Sequence, residues 1–311
     1  MRPLIGFCCV LIVGAVFTGI SFTGTTEPEE AKTDEYAAIA MRDRVIIFFI
    51  KIDYTITLNT FYRERSFVKE FCPRDRGFLF PILCSIMKPL QFLRHIIGLR
   101  SPLRIVYHWA RGVLAYILSG NPSRGMYIIG VTGTKGKTTT STLIATALEA
   151  SGRQVCLLST AQVWMAGEKT ENHSKMTMDS PFKLWKMIRK AKKMGVTHLV
   201  LETSSHGIYY FRNFGIKYNI VVLTNISQDH LDLHGTMDHY VKTKARLFKR
   251  EHGKICLLPR DCAYFDIFSE GAGEDALTYS MKQPATYQTR SLKTDGDGID
   301  IVIKSSIPPE E

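Results

Sequence analysis

No two of the seven cysteines form a CxxC pair, and Cys8 and Cys9 fall inside an apolar run. That spacing gives neither a disulfide framework nor a zinc site, so the folded part of the chain belongs in a reducing compartment. Internal repeats are absent. Charge is missing from residues 3–26, and Leu4 to Phe22 is mostly apolar behind Arg2. Such a run is a transmembrane anchor or a signal peptide. The lack of an A-x-A cleavage site favours the anchor. A start codon placed too far upstream also explains the segment. The positive-inside rule does not orient it, because only Arg2 and the amino terminus flank one side.

What is present is enough for two domains and a substantial core, since the chain has 311 residues. The formal charge of +11 suits a nucleotide, an anionic lipid or a nucleic acid, and selects none of them alone. Residues 43–120 are least informative. "GFLFPILCSIMKPLQFL" has the apolarity of a second membrane segment, against which stand Pro81, Lys88 and Pro89. "RHIIGLRSPLRIVYHWARGVLAYILSG" places apolar residues at helical spacing among Arg94, Arg100, Arg104 and Arg111. Two readings stay open: a basic amphipathic helix on an anionic membrane surface, or helices packed on the domain behind. The breaker cluster Gly120-Asn121-Pro122-Ser123 marks a boundary. The expected organisation is an anchor or signal-like segment at 1–26, a helical amphipathic region at 27–120, and an enzyme domain at 121–311.

That domain opens with "YIIGVTGTKGKTTTSTLIATALEASG", Tyr127 to Gly152. Met126 to Ile129 is apolar and β-branched, which predicts a buried strand. Thr138 to Ala150 predicts a helix stopped by Ser151-Gly152. Between them, Gly133, Thr134 and Gly136 form a turn whose N–H groups meet a helix N-terminus, and both favour an anion. Lys137 would reach terminal phosphates, and Thr138 would stand where Mg²⁺ is bound. The spacing departs from the general P-loop, which would place a glycine at Val131.

After Gly152, apolar strands alternate with helices: "QVCLLST", the Ser180-Pro181-capped helix "FKLWKMIRKAKKM", "HLVLE", "NIVVLTN", a helix from Thr236 to Arg250, and "KICLL". This predicts an α/β fold with a mostly parallel sheet covered on both faces. Ligands bind at the carboxyl ends of such strands. Three segments lie there: Gly133–Thr138, Glu202–His206 and Thr224–His230. Glu202 is a hard oxygen donor of the kind Mg²⁺ prefers. "SQDHLDLHG" gathers Asp229, His230, Asp232 and His234 in one loop, with His230 just past the strand that ends in Thr224-Asn225.

On the helix from Thr236, Met237, Tyr240, Val241, Leu247 and Phe248 form one apolar stripe. Lys242, Arg246, Lys249 and Arg250 fall outside it, while Lys244 lies in its middle. Such a lysine either snorkels outward along its stem or has a reason to be inside.

Taken together, "GVTGTKGKTTT", "LETSSHGIYYFRNFG", "VVLTNISQDHLDLHGTMDHYVKTKARLF" and "ALTYSM" resemble successive segments of the ATP-dependent Mur ligase family. The likeness runs from residue 122 to about 303 and is strongest to the UDP-N-acetylmuramoyl-tripeptide synthetase branch. It implies a ligase of peptidoglycan precursor synthesis, with a P-loop-type mononucleotide-binding central domain. ATP and Mg²⁺ are its cofactors, a UDP-N-acetylmuramoyl-peptide and an amino acid its substrates, and no nucleic acid is a partner. Gly133, Thr134, Gly136, Lys137, Thr138, Thr139 and Asn225 would hold ATP. Thr138, Glu202, His230 and a carboxylated Lys244 would serve the metal, with Lys137, His230 and Lys244 as the catalytic set. Thr177, Ser204 and Arg212 would contact the muramoyl substrate. The ligase part would be cytoplasmic, tethered or not by residues 4–22.

The chain departs from the family at several places. Lys135 replaces the usual Asn or His, "MTMDSPF" keeps only Thr177 of a Thr-Thr-Pro segment, and Gln228 stands where Arg is common. Residues 1–120 do not read as the family's uridine-binding domain, and the sequence stops at "SSIPPEE" before a third domain. A fragment or interrupted gene is therefore expected. The alternatives are a non-catalytic, membrane-attached nucleotide-binding protein, and a folate or poly-amino-acid ligase of the same superfamily.

Overall fold

The computed structural model describes residues 101–174, 176–249, 253–273, 275–294 and 298–306, with strands β1 (Ala38–Arg42) and β2 (Val45–Lys51). The expected anchor at 4–22 and the apolar segment near residue 80 lie outside the described residues. Among those described, no helix is long and apolar enough to cross a membrane.

A twelve-stranded sheet organises the molecule, in the order β1-β2-β12-β11-β10-β9-β8-β3-β7-β4-β5-β6. Its strands are β3 (Tyr127–Thr132), β4 (Val155–Leu158), β5 (Gln162–Met165), β6 (Glu168–Glu171), β7 (His198–Glu202) and β8 (Tyr218–Leu223). The rest are β9 (Gly253–Pro259), β10 (Leu277–Ser280), β11 (Tyr287–Thr294) and β12 (Gly298–Ser305). The run from β4 through β7, β3, β8, β9 and β10 to β11 is parallel. Antiparallel strands close both sides.

Why the central strands are apolar without alternation is visible in their burial. Ile128, Leu199, Leu201, Val221 and Leu223 enter one buried cluster, while Ile129, Val131, Val200, Ile220 and Val222 enter another. Successive side chains on a strand point to opposite faces, so a sheet covered on both sides needs apolar residues at every position.

Among the described residues the helices are α1 (Pro102–Ser119), α2 (Lys137–Ala150), α3 (Pro181–Lys193), α4 (Ser205–Tyr209), α5 (Leu231–His234), α6 (Met237–Ala245) and α7 (Phe265–Ala272). Ser180 caps α3 by accepting from Lys183 N, and Thr236 caps α6 by accepting from His239 N. The helix expected through Arg250 ends at Ala245 and tightens into a 3₁₀ turn, Arg246–Phe248, which buries Leu247 and Phe248 together.

The region 27–120 is not helical throughout. β1 and β2 are strands, and β2 pairs with β12. "VIIFFIK" is β-branched and aromatic, which favours a strand. Helix α1 forms as expected, with its arginines turned toward the domain. Arg104 stacks over the Tyr210 ring, and Arg111 over Tyr107 and Phe182. His108, Gly112 and Ala115 are buried, and α1 packs on α3. One face of α1 is therefore packed on the domain, because cation–π stacking draws both guanidinium groups toward it.

Candidate active site

Strands β7, β3 and β8 are neighbours in the sheet, with Val131 paired to Glu202 and Thr132 to Leu223. The three segments expected at strand carboxyl ends therefore meet at one place. The turn between β3 and α2 needs its glycines. Gly133 has φ 149°, and a Cβ there would come within 1.9 Å of Thr224 Oγ1. Gly136 adopts φ 78° as the residue before α2, a conformation with little cost only for glycine.

Side chains just past the end of β8 hold the turn in shape. Asn225 Oδ1 accepts from Lys135 N at 3.0 Å, and its Nδ2 donates to Lys135 O at 2.7 Å. Thr224 Oγ1 donates to the same carbonyl at 2.7 Å. Thr134 N donates to Asn225 O, and its hydroxyl lies 3.0 Å from the Tyr240 hydroxyl. Asn225, expected to touch ATP, is here a clamp on the turn. Thr139 is exposed on the first turn of α2.

Glu202 is buried and fully engaged. Its Oε2 accepts from Thr138 Oγ1 at 3.0 Å and from Thr160 N at 2.8 Å, and its Oε1 from Thr160 Oγ1 at 3.0 Å. Thr160 was not singled out in the sequence. It lies just past the carboxyl end of β4, where the strand-end rule would have found it. Its hydroxyl also pairs with that of Thr177 at 2.7 Å, which links the expected substrate residue to the site. Arg212 donates to Met178 O beside it. Ser204 caps α4 by accepting from Gly207 N at 3.1 Å.

Lys244 is 1% exposed. Its ammonium donates to Gly133 O at 2.8 Å and to Thr132 Oγ1 at 3.4 Å. Burial holds its pKa well below the usual lysine value, and the charge of Lys137 lowers it further, against Asp229 and Glu202. The snorkelling alternative is thereby excluded. Burial lowers the Lys137 pKa as well, opposed by Glu202 and Asp229, and its Nζ donates to Thr134 O at 2.9 Å.

His230 adopts φ 54°, an uncommon conformation for a residue with a side chain. It stands within a group of histidines, its ring 4.8 Å from that of His206. His234 and His239 complete the group, with Nδ1 atoms 3.1 Å apart. Among the described residues, no three His, Cys, Asp or Glu side chains could hold an ion by themselves. The Thr138 hydroxyl at the start of α2 and the Glu202 carboxylate at the end of β7 are nevertheless hard oxygen donors, and they fit Mg²⁺. Gly133 lacks a Cβ where Thr224 and Asn225 press against the turn, and the N-terminus of α2 that this turn presents fits a phosphate chain.

Residues 131–309 match the Mur ligase middle domain. The UDP-N-acetylmuramoyl-L-alanyl-D-glutamate--2,6-diaminopimelate ligase of Chlamydia trachomatis serovar D is 35% identical over 233 residues, 74% of this chain and 47% of that protein. Ligase 1 of the same description from Clostridium acetobutylicum is 33% identical over 189 residues, 61% of this chain and 38% of that one. A solved structure of a ligase so described superposes with a TM-score of 0.54 at 31% identity, covering 61% of this chain and 39% of the other. The chain thus spans less than half the length of these relatives. With the family's middle domain matched over more than half of its residues, the chain belongs to the Mur ligase family.

Proposed function

We propose that this chain carries the ATP-binding centre of an acid–amino-acid ligase that extends a UDP-N-acetylmuramoyl-peptide in peptidoglycan precursor synthesis, in the cytoplasm. The observation that carries the reading is the meeting of Lys137, the Thr138–Glu202 pair and buried Lys244 around one glycine turn. The N–H groups at the start of α2 and the Lys137 side chain would hold the ATP phosphates, with Gly133, Thr134 and Gly136 setting the turn's shape. Thr138, Glu202 and His230 would hold Mg²⁺, which supplies charge neutralisation for the transferred phosphoryl group. Lys244 would act as a carbamate, because an ammonium cannot ligate a cation whereas a carbamate offers anionic oxygens.

In the reaction, a substrate carboxylate oxygen attacks the γ-phosphorus and ADP leaves, giving an acyl phosphate. The amino acid's amine then attacks the acyl carbon, and inorganic phosphate leaves. Thr177, Ser204 and Arg212 would position the carboxylate-bearing substrate on the side of Thr160. In the relatives named above the amino acid is 2,6-diaminopimelate.

The test is nucleotide binding by calorimetry. Lys137→Ala is expected to weaken ATP–Mg²⁺ affinity at least tenfold, about 1.4 kcal/mol, with an unchanged circular dichroism spectrum. Equal affinity in both proteins removes the phosphate role. Tight binding with no phosphoryl transfer to a muramoyl-peptide assigns the chain to nucleotide binding alone.

A further inference from the structure

We infer that the outer face of α1, with the outer lysines of α3, docks on an anionic lipid surface. Leu103, Val106 and Ile117 are 70%, 58% and 65% exposed. With Ala110 and Val113 they recur at spacings of three and four, which is one face of a helix. Trp109 flanks that face and is 47% exposed. The opposite face of α1 is committed to the domain through His108, Gly112 and Ala115. The outward stripe is therefore a contiguous apolar surface of the kind that marks an interaction site.

Charge identifies the occupant. Neither α1 nor α3 contains a carboxylate, and α3 alone carries six lysines and arginines. Lys186, Lys190 and Lys193 are exposed at spacings of four and three. Arg189 ties the two helices together by donating to the Leu118 and Ser119 carbonyls at 3.1 and 2.5 Å. An apolar helix face with a tryptophan, beside an outward row of lysines, matches an anionic bilayer surface, where rings and aliphatic groups enter the headgroup boundary and ammonium groups meet phosphates. A protein partner would have to offer both a greasy groove and a carboxylate row in the same register. The helices lie in the plane of such a surface, and none of those described needs to cross it.

Trp109 makes the idea testable in the intact chain, because Trp164 and Trp185 are 4% and 2% exposed and contribute little to any environmental change. The full-length protein is mixed with vesicles of phosphatidylcholine alone, or of phosphatidylcholine and phosphatidylglycerol, each also prepared with brominated acyl chains. The expected result is a blue-shifted emission quenched by bromine only on the anionic vesicles, and weakened by salt. Leu103→Ser with Ile117→Ser, and separately Lys186→Gln with Lys190→Gln and Lys193→Gln, should each reduce that quenching several-fold with unchanged circular dichroism. The readout holds even where the chain floats with vesicles through its apolar residues 4–22. Trp109 left unquenched on a floating chain overturns the inference, as does equal quenching on phosphatidylcholine alone. Protection of Trp109 from acrylamide without lipid also overturns it. In that case a doubled mass by light scattering assigns the face to a second copy, and a monomeric mass to another segment of the chain.

Discussion

Lys244 Nζ donates to the carbonyl oxygen of Gly133 at 2.8 Å, a contact between residues 111 positions apart that ties α6 to the glycine turn. Burial and the nearby Lys137 favour the neutral amine, and the neutral amine is the form that combines with CO₂. With ¹³C-bicarbonate at mildly alkaline pH, the protein should show a carbamate carbon resonance that disappears in Lys244→Met. Lys242→Ala should keep it, because Lys242 is solvent-facing and paired with Asp238 at 2.9 Å. Lys244→Met should cost under about 1.5 kcal/mol in urea unfolding, since an apolar side chain of similar volume replaces a buried polar amine. A wild-type spectrum without the resonance would remove the carbamate from the mechanism.

Gly133→Ala is expected to be among the most damaging single substitutions. Its Cβ would meet Thr224 Oγ1 at 1.9 Å and Asn225 O at 3.0 Å, in a backbone conformation that side chains avoid. Relief requires moving the β8 end that clamps the turn. Unfolding should show a loss of about 1–3 kcal/mol, and ATP affinity should fall well beyond what that loss explains. Gly152→Ala is the comparison: its φ is also positive, at 78°, but nothing lies within 4 Å of the added carbon. It should leave nucleotide binding unchanged.

The strand–turn–helix around Gly133 and Gly136 was legible because its signals are local: a β-branched run, glycines, Lys137 and a helix-forming segment in order. The burial of Lys244 was legible from periodicity, and Tyr240, Val241, Leu247 and Phe248 are all buried beside it. Thr160 had only its place past the end of β4 to mark it, because its bonds to Glu202 span 42 residues and leave no local pattern. The bonds of Asn225 to the Lys135 backbone span 90 residues and were likewise without a local pattern. The orientation of α1 stayed open for a related reason. Arginine usually marks the wet face of a helix, but aromatic rings at Tyr210 and Phe182, distant in sequence, turn Arg104 and Arg111 inward.

His234 gives the site an acid-sensitive element. It is 2% exposed, and burial with the neighbouring His239 lowers its pKa from 6.5 to about 4. The unfolded chain therefore binds a proton between about pH 6.5 and 4 that the folded chain refuses, so stability falls as pH drops through that window. At about 1.4 kcal/mol per pKa unit the loss approaches 2–3 kcal/mol. His234→Phe keeps the ring packing against Tyr209 and Tyr240 and cannot titrate. Urea unfolding at pH 7 and pH 4.5 should show a smaller acid loss in the variant. An identical pH dependence would place the acid sensitivity elsewhere.

The seating of α1 on the domain rests on a missing side chain. A Cβ on Gly112 would lie 2.6 Å from the Phe211 carbonyl oxygen and 3.0 Å from Phe214 Cβ. Two effects oppose each other in Gly112→Ala. Helix propensity favours alanine by about 1 kcal/mol in a helix interior. The clash is with backbone, which cannot swing aside as a flexible side chain can, and overpacking of this kind costs about 1–3 kcal/mol. The clash should win, giving a net loss of roughly 1–2 kcal/mol. The readout separates a global effect from a local one. If α1 lifts off, Tyr116 leaves the Trp185 ring, now 5.6 Å away, and Trp185 emission shifts to the red while ATP affinity is kept. Gly112→Ala that matches or exceeds wild-type stability, with unshifted emission, would mean that α1 is seated less tightly than the 2.6 Å approach requires.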